Sequence, residues 1–342
     1  MESSSRLRTG KLPPGLLSSL VLGRLGARRS ETLIHAALGV DAAAIALDAD
    51  WACVLTTDPI TTASSGAGRL AVHVVCNDLA AMGAEPVGVL ATLLLPDGVY
   101  ASAIAELAAE IDATARELNV EVLGGHTEVA PAVSAPLVVM TGVGKARRDR
   151  LLTAAGARPG DALVLTKGAG LEGSHILAND LRSELGGRVP DAVLQAARGY
   201  AAELSVLPEA RLAVDLGARA MHDPTEGGVV GAAWEMAEAS GCGFRIEVSE
   251  IAIRPPTRAI CDALGVDPLR LIASGALLIA CHDGPTLLRG LLDHGIPAAV
   301  IGELSTLDAG RHLVHPDGRH EAVDHLDRDE LYRVLEERRT PS

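Results

Sequence analysis

The hydrophobic pattern of the first half of the chain alternates between short apolar runs and longer segments with helical spacing. Apolar runs followed by carboxylates, at 43–47 and 52–56, predict two strands of a hairpin. The segment 102–118 repeats its apolar residues at helical spacing, which predicts a helix with one buried face. In total the pattern predicts strands at 43–47, 52–56, 86–95, 120–123 and 137–143, and helices at 69–82 and 102–118.

The second half continues the alternation after a polar stretch at 144–161. This stretch separates two predicted domains, 1–150 and 151–342. The charged tail after Gly310 is predicted to be peripheral. Alternating strands and helices in both halves predict an α/β or α+β fold. The predicted strands are 162–166, 244–248, 277–281 and 298–301, and the predicted helices begin at Ser174 or span 191–204, 228–239, 257–264 and 286–294.

Composition narrows the class of protein. The chain has 342 residues, of which 48% are hydrophobic, and a formal net charge of −14. Because this acidic surface opposes a phosphate backbone, we expect no nucleic-acid partner. Aromatic residues make up only 2% of the chain, so the core must consist of aliphatic side chains. The sequence contains no run of 18 apolar residues, so we expect no membrane span. Its five cysteines are scattered and include no C-x-x-C pair, which favours a cytoplasmic location.

One glycine-rich motif, Gly168-Ala-Gly170-Leu-Glu-Gly173, lies between a predicted strand and a predicted helix. A dinucleotide-binding fingerprint needs this pattern followed, about 20 residues on, by a strand that ends in an acid. Here a loop containing glycine and proline follows at 183–190 instead. A tight turn, or a close backbone approach to a phosphate, is therefore favoured over nicotinamide binding.

Acidic side chains recur at the ends of apolar segments, and one polar pair interrupts a helix. Asp41 precedes a predicted strand, Asp58 follows one, and Asn77-Asp78 lies inside the apolar helix 69–82. Asn and Asp are poor residues inside a helix because their side chains compete for backbone hydrogen bonds. The pair is therefore either satisfied within the protein or part of a site.

Two glycine-containing segments carry further polar side chains. Gly124-Gly-His-Thr-Glu128 follows a predicted strand as a glycine turn, and His222-Asp-Pro-Thr-Glu-Gly-Gly228 precedes an apolar helix. The free N–H groups at the start of that helix suit an anion, although a simple N-cap explains the same residues. Carboxylates together with glycine-rich helix starts are what a magnesium–triphosphate site requires.

Six segments occur in an order that points to one superfamily. They are Gly39-Val-Asp-Ala-Ala-Ala-Ile45, Thr57-Asp-Pro-Ile60, Asn77-Asp-Leu-Ala-Ala-Met-Gly-Ala-Glu-Pro86, Gly124-Gly-His-Thr-Glu-Val129, Asp223-Pro-Thr-Glu-Gly-Gly228 and Leu264-Gly-Val-Asp-Pro-Leu269. Together they resemble the aminoimidazole ribonucleotide (AIR) synthase superfamily, which includes thiamine-monophosphate kinase, selenophosphate synthetase and HypE. The resemblance covers about residues 10–305 and is greatest to the HypE-like, AIR-synthase-related branch.

The resemblance implies a two-domain PurM-like α/β chain whose N-terminal sheet forms a barrel with that of a second subunit, so a homodimer is expected. It also implies Mg²⁺ and ATP as cofactors, and ATP-dependent activation of an amide- or carbonyl-type oxygen by phosphoryl transfer. The implied metal ligands are Asp41, Asp58, Asp78 and Asp223. The implied ATP-binding residues are Asn77, Gly124, Gly125, His126, Thr127, Glu128, Lys167, Thr225, Gly227 and Gly228. No catalytic residue is assigned.

Three departures distinguish this sequence from the HypE pattern. HypE ends in Pro-Arg-Ile-Cys, whereas the last residues here are Arg338-Arg-Thr-Pro-Ser342. Ala273-Ser274-Gly275 stands in place of Asn-Glu-Gly, and Val40 stands where relatives carry an additional acid. The substrate is therefore left open. The alternative is a nucleotide-binding scaffold without turnover or a diverged hydrogenase-maturation factor, which predicts ATP binding without release of ADP.

Overall fold

Two β-sheets, each packed against helices, organise the described part of the chain, residues 7, 9–61, 66–325 and 328–339. This mixed α/β architecture of the computed structural model confirms the predicted fold class. The terminal residues 340–342, which were compared with the HypE pattern, lie outside the described residues. Within the described residues, no helix is long and apolar enough to cross a membrane.

The first sheet belongs to the N-terminal half. Its strands are β1 Thr32–Ile34, β2 Ala43–Ala46, β3 Trp51–Ile60, β4 Glu85–Leu95, β5 Glu121–Val129 and β6 Leu137–Arg147. The accompanying helices are α1 Pro14–Leu17, α2 Ala67–Ala81 and α3 Ala101–Glu117. The strand order is β1-β2-β3-β6-β4-β5, with β4 and β5 parallel and the other pairs antiparallel. Apolar side chains of α2 and α3 cover one face of this sheet.

The second sheet belongs to the C-terminal half. Its strands are β7 Ala162–Thr166, β8 Ala218–His222, β9 Cys242–Glu247, β10 Leu278–Cys281, β11 Ala298–Thr306, β12 Arg311–Val314 and β13 His320–Ala322. The helices are α4 Leu171–Asp180, α5 Arg182–Leu185, α6 Asp191–Arg198, α7 Leu207–Asp215, α8 Gly228–Ser240, α9 Pro255–Leu264, α10 Gly284–Asp293 and α11 Glu330–Arg339. The strand order is β13-β12-β9-β11-β7-β10-β8, and only β9 and β12 are parallel.

Helix α2 lies between the first sheet and the C-terminal half. Val72 and Val75 pack into the apolar cluster of the first sheet. On another side, Ala80 and Ala81 pack into a cluster that includes Val206 of the second half. Because the helix is covered on all sides, its sequence is apolar almost throughout instead of following a one-sided pattern.

Asn77, the first residue of the polar pair in α2, joins the two halves. Its side-chain amide donates a hydrogen bond to the Leu204 carbonyl at 2.8 Å, and its Oδ1 accepts one from the Val206 N–H at 3.0 Å. The side chain is fully buried. Asn77 is thus satisfied within the protein, which is one of the two explanations that the sequence left open.

The tail after Gly310 is not peripheral, so that prediction was wrong. Strands β12 and β13 extend the second sheet, and helix α11 buries Leu331 and Val334. The charges that dominate this segment lie on the other side of α11, where Arg333 forms ion pairs with Glu330 and Glu337. A sparse apolar stripe among many charges therefore marks a surface helix.

Other elements also differ from the sequence pattern. The predicted helix 191–204 divides into α6 and a 3₁₀ turn, Gly199–Glu203. Strand β8 and helix α7 were not predicted at all. The segment Gly124–Glu128 is not a turn but part of strand β5, at the open edge of the first sheet. Gly124 and Gly125 have φ near +150°, which residues with a side chain rarely adopt, so this strand needs glycine. Glycine content alone does not distinguish such a strand from a turn.

We predict that Asn77→Ala lowers the free energy of unfolding by about 2–4 kcal/mol, because it leaves a buried carbonyl and a buried N–H group without partners. Urea unfolding of the full chain measures this loss. The control is Asn179→Ala, since among the described residues the Asn179 amide forms hydrogen bonds with His175 of its own helix α4. A loss for Asn77→Ala no greater than that of the control would contradict the role of Asn77 in joining the halves.

Candidate functional site

A cavity of about 450 Å³ lies where the two halves meet. From the N-terminal half, its wall includes the loop before β2, the C-terminal part of β3 and the side of α2 that carries Val74 and Asp78. The C-terminal half contributes residues of α4 and α8 and of the segment that follows β8. The cavity is strongly acidic, since carboxylates from both halves face it.

The four predicted metal ligands form one cluster beside this cavity. Asp41, Asp58 and Asp78 line it directly, and Asp78 accepts a hydrogen bond from the Thr56 hydroxyl at 2.7 Å. Asp223 is 1% exposed, and both of its carboxylate oxygens lack a hydrogen-bond partner among the described residues. The residues come from a loop, a strand, a helix and the end of β8, so only the folded chain brings them together.

These carboxyl groups oppose one another's ionisation. Burial, followed by the charges of Asp223 and Asp58, raises the pKa of Asp78 well above its ordinary value. Burial and the charge of Asp41 raise the pKa of Asp223 to about 7. Burial also raises the pKa of Asp58, although a hydrogen bond with Asp78 lowers it. A bound cation would relieve this repulsion.

His222 connects the acidic cluster to the core of the C-terminal half. Its Nδ1 lies 2.8 Å from Asp41 Oδ1, and its Nε2 lies 2.8 Å from Glu235 Oε2. Burial lowers the pKa of His222, but the carboxylates of Asp41 and Glu235 together raise it well above its ordinary value. His222 therefore lies between Asp41 and Glu235, and both carboxylates favour its charged form.

The donor set fits a hard divalent cation. Ligand atoms of Asp41, His222 and Asp223 lie within 4.8 Å of one another, and Asp41 Oδ2 also lacks a hydrogen-bond partner among the described residues. Buried carboxylate oxygens without partners are costly unless a metal or a proton occupies them. The aspartate oxygens of this set are the ligand type that Mg²⁺ prefers.

A second acidic group, Glu172, faces the cavity away from the aspartate cluster. It belongs to the first turn of α4, is 3% exposed, and its Oε2 has no hydrogen-bond partner among the described residues. Burial raises its pKa to about 7, partly offset by the nearby Ser274 hydroxyl. The charge that adds to this shift is that of Glu226 and not that of an aspartate of the cluster, so Glu172 forms a separate acidic position.

The glycine motif that contains Glu172 makes the tight turn between β7 and α4. Gly170 adopts the left-handed conformation at φ +66°. A Cβ on Gly173 would lie 2.4 Å from Leu271 Cγ, so the glycine permits close packing. The sequence favoured this turn over nicotinamide binding, but the glutamate inside it was not recognised as a site residue.

Two of the predicted ATP-binding residues hold the segment 203–206 instead of lining the cavity. Lys167 lies 2.6 Å from Glu209 Oε1 and donates hydrogen bonds to the carbonyls of Glu203 and Ser205. Asn77 binds the same segment from α2. In this structure both side chains are fully engaged within the protein.

The glycines before α8 are also engaged. The Gly227 N–H donates a hydrogen bond to Asp329 Oδ2 at 2.7 Å, so a carboxylate of the chain's own tail takes the place expected for an anion. A Cβ on Gly228 would lie 2.6 Å from the Leu269 carbonyl, which shows why glycine is needed there. Of this motif, Thr225 does line the cavity.

The predicted ATP-binding residues of the first sheet lie apart from the cavity. All are exposed on edge strand β5, and His126 Nε2 lies 3.2 Å from Glu128 Oε2. The residues concerned are Gly124, Gly125, His126, Thr127 and Glu128. Within one chain they do not join the aspartate cluster.

Other residues of the cavity wall were missed by sequence reasoning. Lys11, Glu226 and Glu235 line the cavity, together with Tyr332 of α11. Lys11 and Tyr332 belong to no local motif, and they are more than 300 positions apart along the chain. Only the fold brings them to the same cavity. Glu235 gave a weak signal, since it is an acid inside the apolar helix α8.

These features define the class of the protein: two sheet-containing α/β halves with a carboxylate-lined cavity between them. Family models for AIR synthase related proteins match the chain twice, with the N-terminal domain at residues 39–146 and the C-terminal domain at residues 158–314. The chain therefore belongs to the AIR synthase related family, and the resemblance found in its motifs is confirmed.

Individual relatives show the same kinship. The carbamoyl dehydratase HypE of Cupriavidus necator is 31% identical over 333 residues, which cover 91% of this chain and 92% of the relative. A crystal structure of Escherichia coli HypE matches with a TM-score of 0.72 and 26% identity, over 82% of this chain and 88% of that one. A crystal structure of HypE in complex with ATP has the same fold, with a TM-score of 0.67 and 24% identity, over 93% of this chain and 96% of that one.

We predict that Glu172→Gln stabilises the protein in a pH-dependent way. The folded-state pKa of about 7 exceeds the ordinary value of 4.5, so ionisation of Glu172 costs stability as the pH rises through this interval. The variant should gain about 3 kcal/mol at pH 8 and lose most of that gain at pH 5.

Urea unfolding at the two pH values measures the difference. The control, Glu106→Gln on the exposed side of α3, should change stability little at either pH. An equal effect of Glu172→Gln at pH 5 and pH 8 would show that the carboxyl is not held in this environment.

Proposed function

We propose that this chain is a Mg·ATP-dependent enzyme that activates an amide- or carbonyl-type oxygen of its substrate by phosphoryl transfer. The observation that carries the proposal is the convergence of four aspartates from separate elements, with both oxygens of the buried Asp223 left without partners. A stable protein keeps such a cluster at a cost, and a bound cation would explain it.

In such a site, different residues would bind the metal, position its ligands and exclude water. Asp41, Asp58, Asp78 and Asp223 would hold Mg²⁺, and the metal-bound nucleotide would supply the phosphoryl group that turns an oxygen into a leaving group. His222 orients Asp41 through its Nδ1, and its positive charge compensates part of the acidic cluster. The aliphatic wall, which includes Ile60 and Ile272, would exclude water from the reacting groups.

The separate acidic position offers a place for the acceptor substrate. Glu172 lies beside Ser274, which occupies the position where HypE carries a glutamate. A carboxyl group is thus retained at this end of the cavity, although it comes from α4. With a pKa of about 7, Glu172 can hold or accept a proton at Oε2 near neutral pH. This favours turnover over the alternative of a nucleotide-binding scaffold.

The relatives support the use of ATP. One is a carbamoyl dehydratase, and a HypE of the same fold has been crystallised in complex with ATP. We therefore infer that the nucleotide binds in the cavity between the halves, where the acidic cluster lies.

We further propose that the chain forms a homodimer through the outer face of the first sheet. Helices α2 and α3 cover the inner face, whereas Ile45, Trp51 and Leu90 are 37–40% exposed on the other one. Strand register places them on the same side. Ile45 pairs with Cys53 of β3, and Leu90 pairs with Thr141, which itself pairs with Thr57 of β3. Trp51, Cys53 and Thr57 are an even number of residues apart, so their side chains share one face of the sheet. Exposed apolar side chains on a broad sheet face are typical of an interface.

We predict that Asp223→Asn abolishes the Mg²⁺-dependent part of nucleotide binding while the chain stays folded. The substitution keeps the shape of the side chain and removes one of the repelling charges, so the melting temperature in EDTA should rise. Isothermal titration with the ATP analogue AMPPNP, with and without Mg²⁺, measures the effect. Asp308→Asn, an exposed change near β12, is the control.

The parent chain should bind the nucleotide with at least tenfold higher affinity when Mg²⁺ is present. Equal Mg²⁺ dependence in the parent and in Asp223→Asn would contradict the assignment of the metal site. Release of ADP from Mg·ATP on addition of a panel of small carboxamides separates the enzyme from the scaffold, since the scaffold binds ATP and releases none.

We predict that Leu90→Arg converts the dimer into a monomer, because it places a charge on the apolar sheet face. Sedimentation should then report a species near 35 kDa, the mass of one chain, and about twice that for the parent. Leu292→Arg, on a leucine of α10 that is 51% exposed, should leave the dimer intact. A parent that sediments as a monomer would overturn the proposed interface.

A further inference from the structure

The acidic cavity contains one long basic side chain, and the proposed function has not yet used it. Among the described residues that line the cavity, Lys11 is the only lysine or arginine. The carboxylates of Asp41, Asp58, Glu226 and Glu235 all act on its charge. A single cation facing so many acids has either a structural or a ligand-binding role.

The backbone at Lys11 is firmly held by the tail of the chain. The Lys11 N–H donates a hydrogen bond to Glu226 Oε2 at 3.0 Å, and the other oxygen of Glu226 accepts one from the Tyr332 hydroxyl at 2.7 Å. Gly10 packs against the ring of Tyr332, since a Cβ placed there would lie 3.5 Å from Cδ2. The position from which the side chain starts is therefore fixed.

The ammonium group, in contrast, is loosely held. Lys11 Nζ lies 3.4 Å from Thr225 Oγ1 and 3.6 Å from Glu235 Oε1, both longer than a good hydrogen bond. Its side chain is 49% exposed, whereas that of Glu235 is 8% exposed. Glu235 already has a shorter partner in His222 at 2.8 Å. The ammonium group therefore lies near Thr225 and Glu235 without a short hydrogen bond to either.

The surroundings of Lys11 favour the charged form of its amine. Although burial opposes it, the carboxylates of Glu235 and Glu226 raise the pKa of the Lys11 amine above its ordinary value. The ammonium is a compact cation on a flexible stem, which can reach a phosphate without the planar geometry that arginine requires. The cavity therefore contains a cationic donor on a long, flexible type of side chain whose backbone is held in place.

We propose that Lys11 contacts the terminal phosphate of the bound nucleotide, opposite the aspartates that hold the metal. This rests on the proposed function. In phosphoryl-transfer sites the metal bridges the outer phosphates, so a cation that faces the metal ligands Asp41 and Asp58 lies at the phosphate end of the nucleotide. A metal held by those aspartates would offset their charge, and a terminal phosphate beside it would then give Lys11 an anionic partner.

The test compares two nucleotides that differ in the terminal phosphate. Isothermal titration measures the affinities of the full chain and of Lys11→Met for Mg·AMPPNP and for Mg·ADP. We expect Lys11→Met to weaken Mg·AMPPNP binding at least tenfold and to change Mg·ADP binding less than threefold. Lys11→Arg should recover part of the loss, because it restores the positive charge.

The control is Arg24→Met, which removes an exposed cation of the same N-terminal segment and should change neither affinity. Thermal melting verifies that Lys11→Met is folded, as expected for a half-exposed side chain. An equal loss for both nucleotides, or no loss for either, would overturn the contact with the terminal phosphate. A parent chain that binds neither nucleotide would instead refute the proposed function, and this inference with it.

Discussion

Repulsion among buried carboxylates is the constraint around which this molecule is built. Asp41, Asp58, Asp78 and Asp223 lie close to one another beside the cavity, and their pKa values rise wherever a shift is resolved. Among the described residues, the charges that offset this cluster come from His222, which contacts Asp41, and from Lys11, which acts on Asp58. The remaining negative charge makes the cavity receptive to cations, which is how an acidic protein can bind a polyphosphate.

The rest of the fold serves to hold these charges in place. Helix α2 carries Asp78 toward the cavity and uses its neighbour Asn77 to join the C-terminal half. Both ends of the described chain also meet at the site, since Glu226 binds the Lys11 backbone and the Tyr332 hydroxyl. Neither half contains the whole site, so its geometry depends on how the halves pack against each other.

Sequence reasoning found the fold class and the aspartate cluster because both depend on local pattern and on the order of motifs. It could not separate Asn77 from Asp78, since adjacent residues of a buried helix face different neighbours and only packing decides which one meets the cavity. Glu172, Lys11 and Tyr332 escaped notice because distance along the chain hides their proximity. The apolar stripe of α11 was obscured by its charges, and β5 by glycines that can serve a turn or a strand equally well.

The most direct test of the central claim is a crystal structure of the chain grown with Mn²⁺ and AMPPNP, with anomalous scattering recorded at the manganese edge. Manganese prefers the same oxygen ligands as magnesium and is located without ambiguity. The account predicts an anomalous peak bound by carboxylates of the cluster of Asp41, Asp58, Asp78 and Asp223, next to the phosphates of the nucleotide. A nucleotide bound elsewhere, or no peak at these carboxylates, would contradict it.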